Sequence, residues 1–176
     1  MIHWASFIGF DFADKDKARF LRTFKSKLVE YEPDIAWLNP SYLHMTLAFI
    51  GWLQHSDVGK LSRLLNRLHK EYFVEDIEVT GRVIFLVFGA RKEYVCAEVK
   101  RTEPMDAFYR ALVSGMIKAG VPPKEQSFIP HISLGRFADA TVPGKPIMAK
   151  PFRVPIKKVC VFESVSDSES LASSKF

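Results

Sequence analysis

Apolar runs of strand type and of helix type succeed one another along the whole chain. Residues 4–12, WASFIGFDF, are aromatic and β-branched and hold no proline, which predicts a strand. From Lys15 to Tyr31 the residues Ala18, Leu21, Phe24, Leu28 and Tyr31 recur at three- and four-residue spacing, which predicts a charged helix with one apolar stripe, stopped at Pro33. A short strand, Ile35-Ala36-Trp37, and an Asn39-Pro40-Ser41 turn lead into a second long strand over residues 42–51, YLHMTLAFIG. The next helix buries Val58, Leu61, Leu64, Leu65, Leu68 and Tyr72 and turns Arg63, Arg67 and Lys70 to water. Three strands follow, DIEVTG, RVIFLVF and EYVCAEVK, the last two joined by a GARK turn as in an antiparallel meander.

Residues 103–119 read as a third helix through Met105, Phe108, Leu112, Met116 and Ile117, closed by Gly120 and Pro122-Pro123. The strand SFIPHISLGRF comes next, then a proline-punctuated loop over 139–151 and strands at FRVPI and KKVCVFES. Serines crowd residues 164–176, and a loosely ordered tail is expected there. The elements fall into two comparable sets, each holding a helix and a strand of the form apolar-His-apolar-Ser/Thr-apolar. No long linker separates them. The expectation is one α+β domain over 1–176, with two lobes that each offer a histidine strand to a shared cleft.

Composition narrows the class without deciding it. A chain of 176 residues with 48% apolar and 26% charged residues can bury a core without disulfides or a structural metal. The 25 Lys+Arg against 20 Asp+Glu give a charge of +5, which favours anionic partners. Cys96 and Cys160 both sit in apolar runs, where small buried thiols are common. No long apolar run suits a membrane, and the N-terminus lacks the features of a signal peptide, so a cytoplasmic location is expected. The expected oligomeric state, separately, is a monomer.

Of the five histidines, His44 is followed two positions later by Thr46 and His131 by Ser133. Within a strand, period two puts each imidazole and its hydroxyl on one face, while Met45 and Leu47, or Ile132 and Leu134, point the other way. Two such strands facing each other bring together a proton acceptor, a proton donor and two neutral hydrogen-bond donors. That set can hydrolyse a phosphate ester with no metal and no cofactor. His3, His55 and His69 read as structural or surface residues, and neither motif histidine has the nearby third ligand that a zinc site needs.

Residues 37–51, WLNPSYLHMTLAFIG, and 129–137, IPHISLGRF, resemble the two tandem signatures of the 2H phosphoesterase superfamily. The resemblance is greatest to its LigT-like branch, the RNA 2',3'-cyclic phosphodiesterases historically called 2'-5' RNA ligases. The opening FIGFDF and the late VCVFES also match, so the resemblance spans nearly the whole chain. It implies two pseudo-symmetric antiparallel sheets flanked by helices around a central cleft. His44 would be the proton donor to the departing 3'-oxygen and His131 the acceptor that activates water. Thr46, Ser133 and Arg136 would bind the phosphate, and the partner would be an RNA or nucleotide with a 2',3'-cyclic phosphate end. Run backwards, the same groups would make a 2'-5' linkage without ATP.

Two departures from the family stand out: the second motif carries Ser133 where relatives commonly have Thr, and the tail SVSDSESLASSKF lacks the glycine and tyrosine they tend to carry. Strict alternation also sends Arg136 to the face opposite His131 and Ser133. Gly135 offers a remedy, since a glycine in a strand often marks a bulge. Among the aromatics, Trp4, Phe7, Trp37, Tyr42 and Phe49 read mostly as core, with one or two available to stack on a base. The competing readings are cleavage of 2'-5' oligoadenylate or of RNA 3' ends by the same machinery, and a non-catalytic module that binds RNA ends.

Overall fold

The computed structural model describes residues 3–72, 74–87, 93–124, 127–137, 146–167 and 170–175. Its elements in chain order are β1 (His3–Asp11), α1 (Asp14–Lys25), β2 (Ile35–Trp37), β3 (His44–Gly51), α2 (His55–Glu71), β4 (Asp76–Val87), β5 (Glu93–Val99), α3 (Glu103–Lys118), β6 (His131–Phe137), β7 (Phe152–Pro155), β8 (Lys158–Asp167) and β9 (Ser170–Lys175). The strands form one antiparallel sheet in the order β7-β4-β5-β6-β3-β1-β8-β9, with β2 paired to β6. The expected two lobes are the two halves of this sheet. They meet between β3 and β6, where the registered pair is Met45 with Ile132.

One continuous core lies between the helices and one face of the sheet. It unites Phe20 and Phe24 of α1, Leu61, Leu65 and Leu68 of α2, and Phe108, Leu112 and Met116 of α3 with Ile8, Phe10, Met45, Leu47, Val95, Ala97, Ile132 and Leu134 of the strands. The helices therefore cover one side of the sheet. On the other side of β1 and β8, Phe7, Cys160 and Phe162 form a small cluster of their own.

Several elements differ from the sequence reading, each for a local reason. The first helix ends at Lys25, and the rest of its apolar stripe, Leu28 and Tyr31, continues along a 3-10 turn over Val29–Asp34 that contains Pro33. Three-residue spacing suits both helix types, so periodicity alone does not separate them. DIEVTG and RVIFLVF are not two strands but one, β4, bent at Gly81. Gly81 has φ +85°, and a Cβ there would lie 2.2 Å from the Ala149 carbonyl oxygen, so the glycine marks a close approach within a strand instead of a turn. The serine-rich end, read as a loose tail, carries β9, which pairs with β8 from Phe162–Lys175 to Asp167–Ser170. Alternating polar side chains suit an edge hairpin as well as they suit coil. The GARK turn at 89–92 and most of the proline-punctuated loop, 138–145, lie outside the described residues.

Candidate active site

His44 and His131 open the two strands that meet at the seam. Met45 and Ile132 pair across it and are buried in the core, so alternation turns His44, Thr46, His131 and Ser133 to the opposite, helix-free face. The same register sets His44 across from Ser133 and Thr46 across from His131. The two imidazoles thus occupy one diagonal of a four-residue square and the two hydroxyls the other. Diagonal neighbours in an antiparallel pair are about 7–8 Å apart at the backbone, close enough for both rings to reach one small group between them.

Beyond the hydroxyl each strand bulges. Thr46 pairs with Gly9 of β1 but Ala48 pairs with Ile8, so β3 carries an extra residue and both Leu47 and Ala48 enter the core. Phe49 therefore emerges beside its partner Phe7 on the histidine face, with 39% of its surface exposed. In β6, Ser133 pairs with Cys96 but Gly135 with Val95, so Leu134 and Gly135 both turn inward and Arg136 emerges opposite Tyr94. Its guanidinium carbon lies 5.0 Å from the centre of the Tyr94 ring. The bulge needs glycine, since a Cβ at residue 135 would lie 2.8 Å from the Ala36 carbonyl oxygen of β2. Arg136 is thereby placed on the face of the imidazoles, and its buried Nε has no hydrogen-bond partner among the described residues.

Both rings are held in the same tautomer. His44 Nδ1 donates to the Tyr42 carbonyl at 2.7 Å, and His131 Nδ1 donates to the Ile129 carbonyl at 2.7 Å. A carbonyl can only accept, so the proton of each neutral ring sits on Nδ1 and Nε2 carries the lone pair. Their surroundings differ. His44 stacks on Phe7 at 4.6 Å between ring centres and lies 5.0 Å from Phe162. This apolar burial lowers its pKa to about 4 against the pull of the Tyr42 carbonyl; Lys17 and His131 push the same way and Asp11 opposes them. His131 is also lowered by burial, with the Ile129 carbonyl opposing. Both rings are neutral in the free protein near neutral pH.

Cys96 approaches Ser133, with 3.8 Å between Sγ and Oγ, and burial pushes its thiol up to about 12, so it is a packing residue and not a nucleophile. His55 and His69 lie on α2, on the far side of the sheet. Trp37 packs against the core with Lys25 over its ring, and the described residues include no group of three His, Cys, Asp or Glu placed to hold a metal ion. No described helix is long and apolar enough to cross a membrane. Sequence reasoning missed that Phe7 and Phe162 enclose His44. It also missed the ion pair of Asp11 and Lys17, at 2.7 Å, both fully buried. An acid within the apolar FIGFDF was the one available signal; nothing distinguished Lys17 from the other lysines of its helix.

No family model matches this chain. Among solved structures it is similar to the TT0787 protein of Thermus thermophilus, at TM-score 0.72 and 18% identity over 98% of this chain and 94% of that one. It is also similar to E. coli LigT complexed with 3'-AMP, at TM-score 0.69 and 17% identity over 100% and 96%. The MHV ns2 PDE domain matches at TM-score 0.62 and 16% identity over 89% and 96%. At such identities the likeness is one of fold, and it extends over nearly the full length of each chain.

Proposed function

We propose that this protein is a 2H-type phosphoesterase that opens RNA or nucleotide 2',3'-cyclic phosphates to 2'-phosphates by paired imidazole catalysis. The observation that carries this reading is the diagonal pair of histidines, each fixed through Nδ1 to a backbone carbonyl two residues earlier, with a hydroxyl beside each on the same face. The fold shared with LigT, a protein solved with 3'-AMP and with phosphate bound, supports an anionic nucleotide at such a face.

The proposed step balances on these residues alone. His131 Nε2 takes a proton from water, whose oxygen forms a new bond to phosphorus. The bond from phosphorus to the 3'-oxygen breaks, and that oxygen takes a proton from His44 Nε2, leaving a 3'-hydroxyl and a 2'-phosphate. Thr46 and Ser133 donate to the non-bridging oxygens, and the Arg136 guanidinium faces the same group. His44 is neutral in the empty site, so it must gain its proton as the anion binds; negative charge beside a depressed imidazole favours that uptake. With a 5'-hydroxyl in place of water as the attacking group, the same transfers join it to the cyclic end through a 2'-5' bond.

The direct test is hydrolysis of a nucleoside 2',3'-cyclic phosphate in excess EDTA, with the product isomer read by 31P NMR. A 2'-phosphate is expected. No product from the folded wild-type protein, with binding that survives removal of both histidines, would establish the RNA-end binding module instead. Turnover of 2'-5' oligoadenylate or of RNA 3' ends in place of cyclic phosphates would reassign the substrate within the same machinery.

A further inference from the structure

The turns that present the two histidines are fastened in different ways. Before His131, the Pro130 carbonyl accepts from the Val99 backbone N–H at 3.1 Å, a bond of the sheet itself. Before His44 the 3-10 turn over Pro40–Tyr42 stands where such a bond would be. Its Ser41 carbonyl accepts from Lys17 Nζ at 3.0 Å, and the Ser41 N–H donates to Asn39 Oδ1 at 3.0 Å. Lys17 belongs to α1 and is the one lysine among the buried residues of that helix; its ammonium is 2.7 Å from Asp11 Oδ1. Asp11 in turn is the β1 residue registered with His44. The next carbonyl after Ser41 is that of Tyr42, which holds His44 Nδ1 at 2.7 Å.

We propose that Lys17 is a positioning residue for His44: anchored on Asp11, it holds the Ser41 carbonyl, fixes the turn, and so aims the Tyr42 carbonyl that orients the imidazole. A fully buried ion pair is a weak source of stability, because desolvation consumes most of its attraction. Its placement one carbonyl away from the atom that fixes a tautomer gives it a geometric task. The charged and titratable groups that reach His44 are Lys17 from α1, Asp11 from β1 and His131 from β6; Phe7 and Phe162 pack against its ring. Burial is what chiefly holds the His44 ring neutral, and the Lys17 cation acts in the same direction.

The kinetic part of this inference rests on the phosphoesterase reading, and the structural part does not. Replacing Lys17→Met is expected to lower kcat about 10–100-fold, the scale of a displacement of about 1 Å in a catalytic group, with KM little changed. The high-pH limb of kcat, where the proton donor is lost, is expected to move to higher pH, since a charge that lowers the His44 pKa has gone. Lys17→Arg, which keeps the cation beside Asp11, should recover most of the lost kcat. Because Lys17→Met strands the Asp11 carboxylate and can unfold the chain, the double variant Asp11→Asn/Lys17→Met provides the same test without a buried charge. NMR of 15N-labelled histidine reads the result without turnover, so it stands even for a wild-type protein inactive on cyclic phosphates. The wild type should show the Nδ1–H tautomer at His44, and the variants a mixture with a raised titration midpoint, raised less in the double variant. A folded variant whose His44 tautomer, titration and kcat all equal those of the wild type overturns the proposal.

Discussion

The strands β3 and β6 follow one plan in two settings. Each runs histidine, buried apolar residue, hydroxyl residue, two inward residues and then a side chain returned to the histidine face by a bulge. The returned side chain is Phe49 in the first strand and Arg136 in the second. Around His44 stand two phenylalanine rings and a buried ion pair; beside His131 runs β5, with Arg136 farther along its own strand. Such asymmetry supports the proposed roles. An imidazole boxed in by apolar rings is a strong acid once charged, which suits the group that must release a proton to the departing oxygen. On the proposed reading the other ring is the base for water.

The largest expected effect tests that assignment directly. His44→Ala and His131→Ala should each reduce kcat on a cyclic phosphate about 100- to 10,000-fold with folding intact. An aryl phosphodiester, whose phenolate leaves without a proton, should distinguish them: His44→Ala regains most of its turnover on that substrate and His131→Ala does not. Rescue of the opposite variant would exchange donor and acceptor.

A smaller effect separates the two bulge residues. Arg136→Ala should raise KM about 10–100-fold, the scale of a lost charge-assisted hydrogen bond, and the penalty should shrink as salt is added. Phe49→Ala should raise KM about 5–10-fold through lost base stacking, independently of salt, and should have no effect on a cyclic phosphate that lacks a base. Equal salt dependence in the two variants would remove the division of labour between charge and stacking.

The enclosure of His44 predicts a shift in pH dependence. Its pKa is lowered to about 4 chiefly by burial, so Phe7→Leu, which opens the stacked face, must raise it toward the ordinary histidine value. The His44 resonance should then titrate at higher pH in NMR of 15N-labelled histidine, and the His131 resonance keeps its own titration. Linkage has the same sign for stability: a histidine whose folded pKa is depressed binds its proton more weakly folded than unfolded. Wild-type stability should therefore fall as pH drops through the unfolded value of 6.5 toward about 4, and fall less in Phe7→Leu.

How far the site was legible in the sequence depended on whether strict alternation held. The pairs His44/Thr46 and His131/Ser133 were readable because both precede the bulges, and period two carries them to one face. Phe49 read as core because alternation counted through an extra residue that the sequence does not display. Arg136 read as misplaced for the same reason, and only Gly135 hinted at the remedy. The α+β class and the helices followed from apolar spacing. The sheet's unity did not, since a seam held by one registered pair leaves no pattern in either strand. Nor did Lys17, which sits among helical charges that are otherwise exposed or half-buried and differs from them only in what it packs under.

The smallest expected effect on turnover comes from the bulges themselves, at positions 48 and 135. In β3 the second inward residue is Ala48, buried but accommodated. In β6 it is Gly135, because β2 pairs alongside there and an added methyl group would meet the Ala36 carbonyl oxygen at 2.8 Å and Ile35 Cγ2 at 2.8 Å. Gly135→Ala should therefore cost about 1–3 kcal/mol in denaturant unfolding, the usual scale of overpacking. The strain falls on β2 and on the bulge that turns Arg136 outward, whereas His131 lies on the near side of the bulge and keeps its carbonyl partner. KM should rise by less than in Arg136→Ala, and kcat should hardly move. A fall in kcat with KM unchanged would mean that the bulge supports the base itself, and the two strands would then differ in more than the side chain each returns to the cleft.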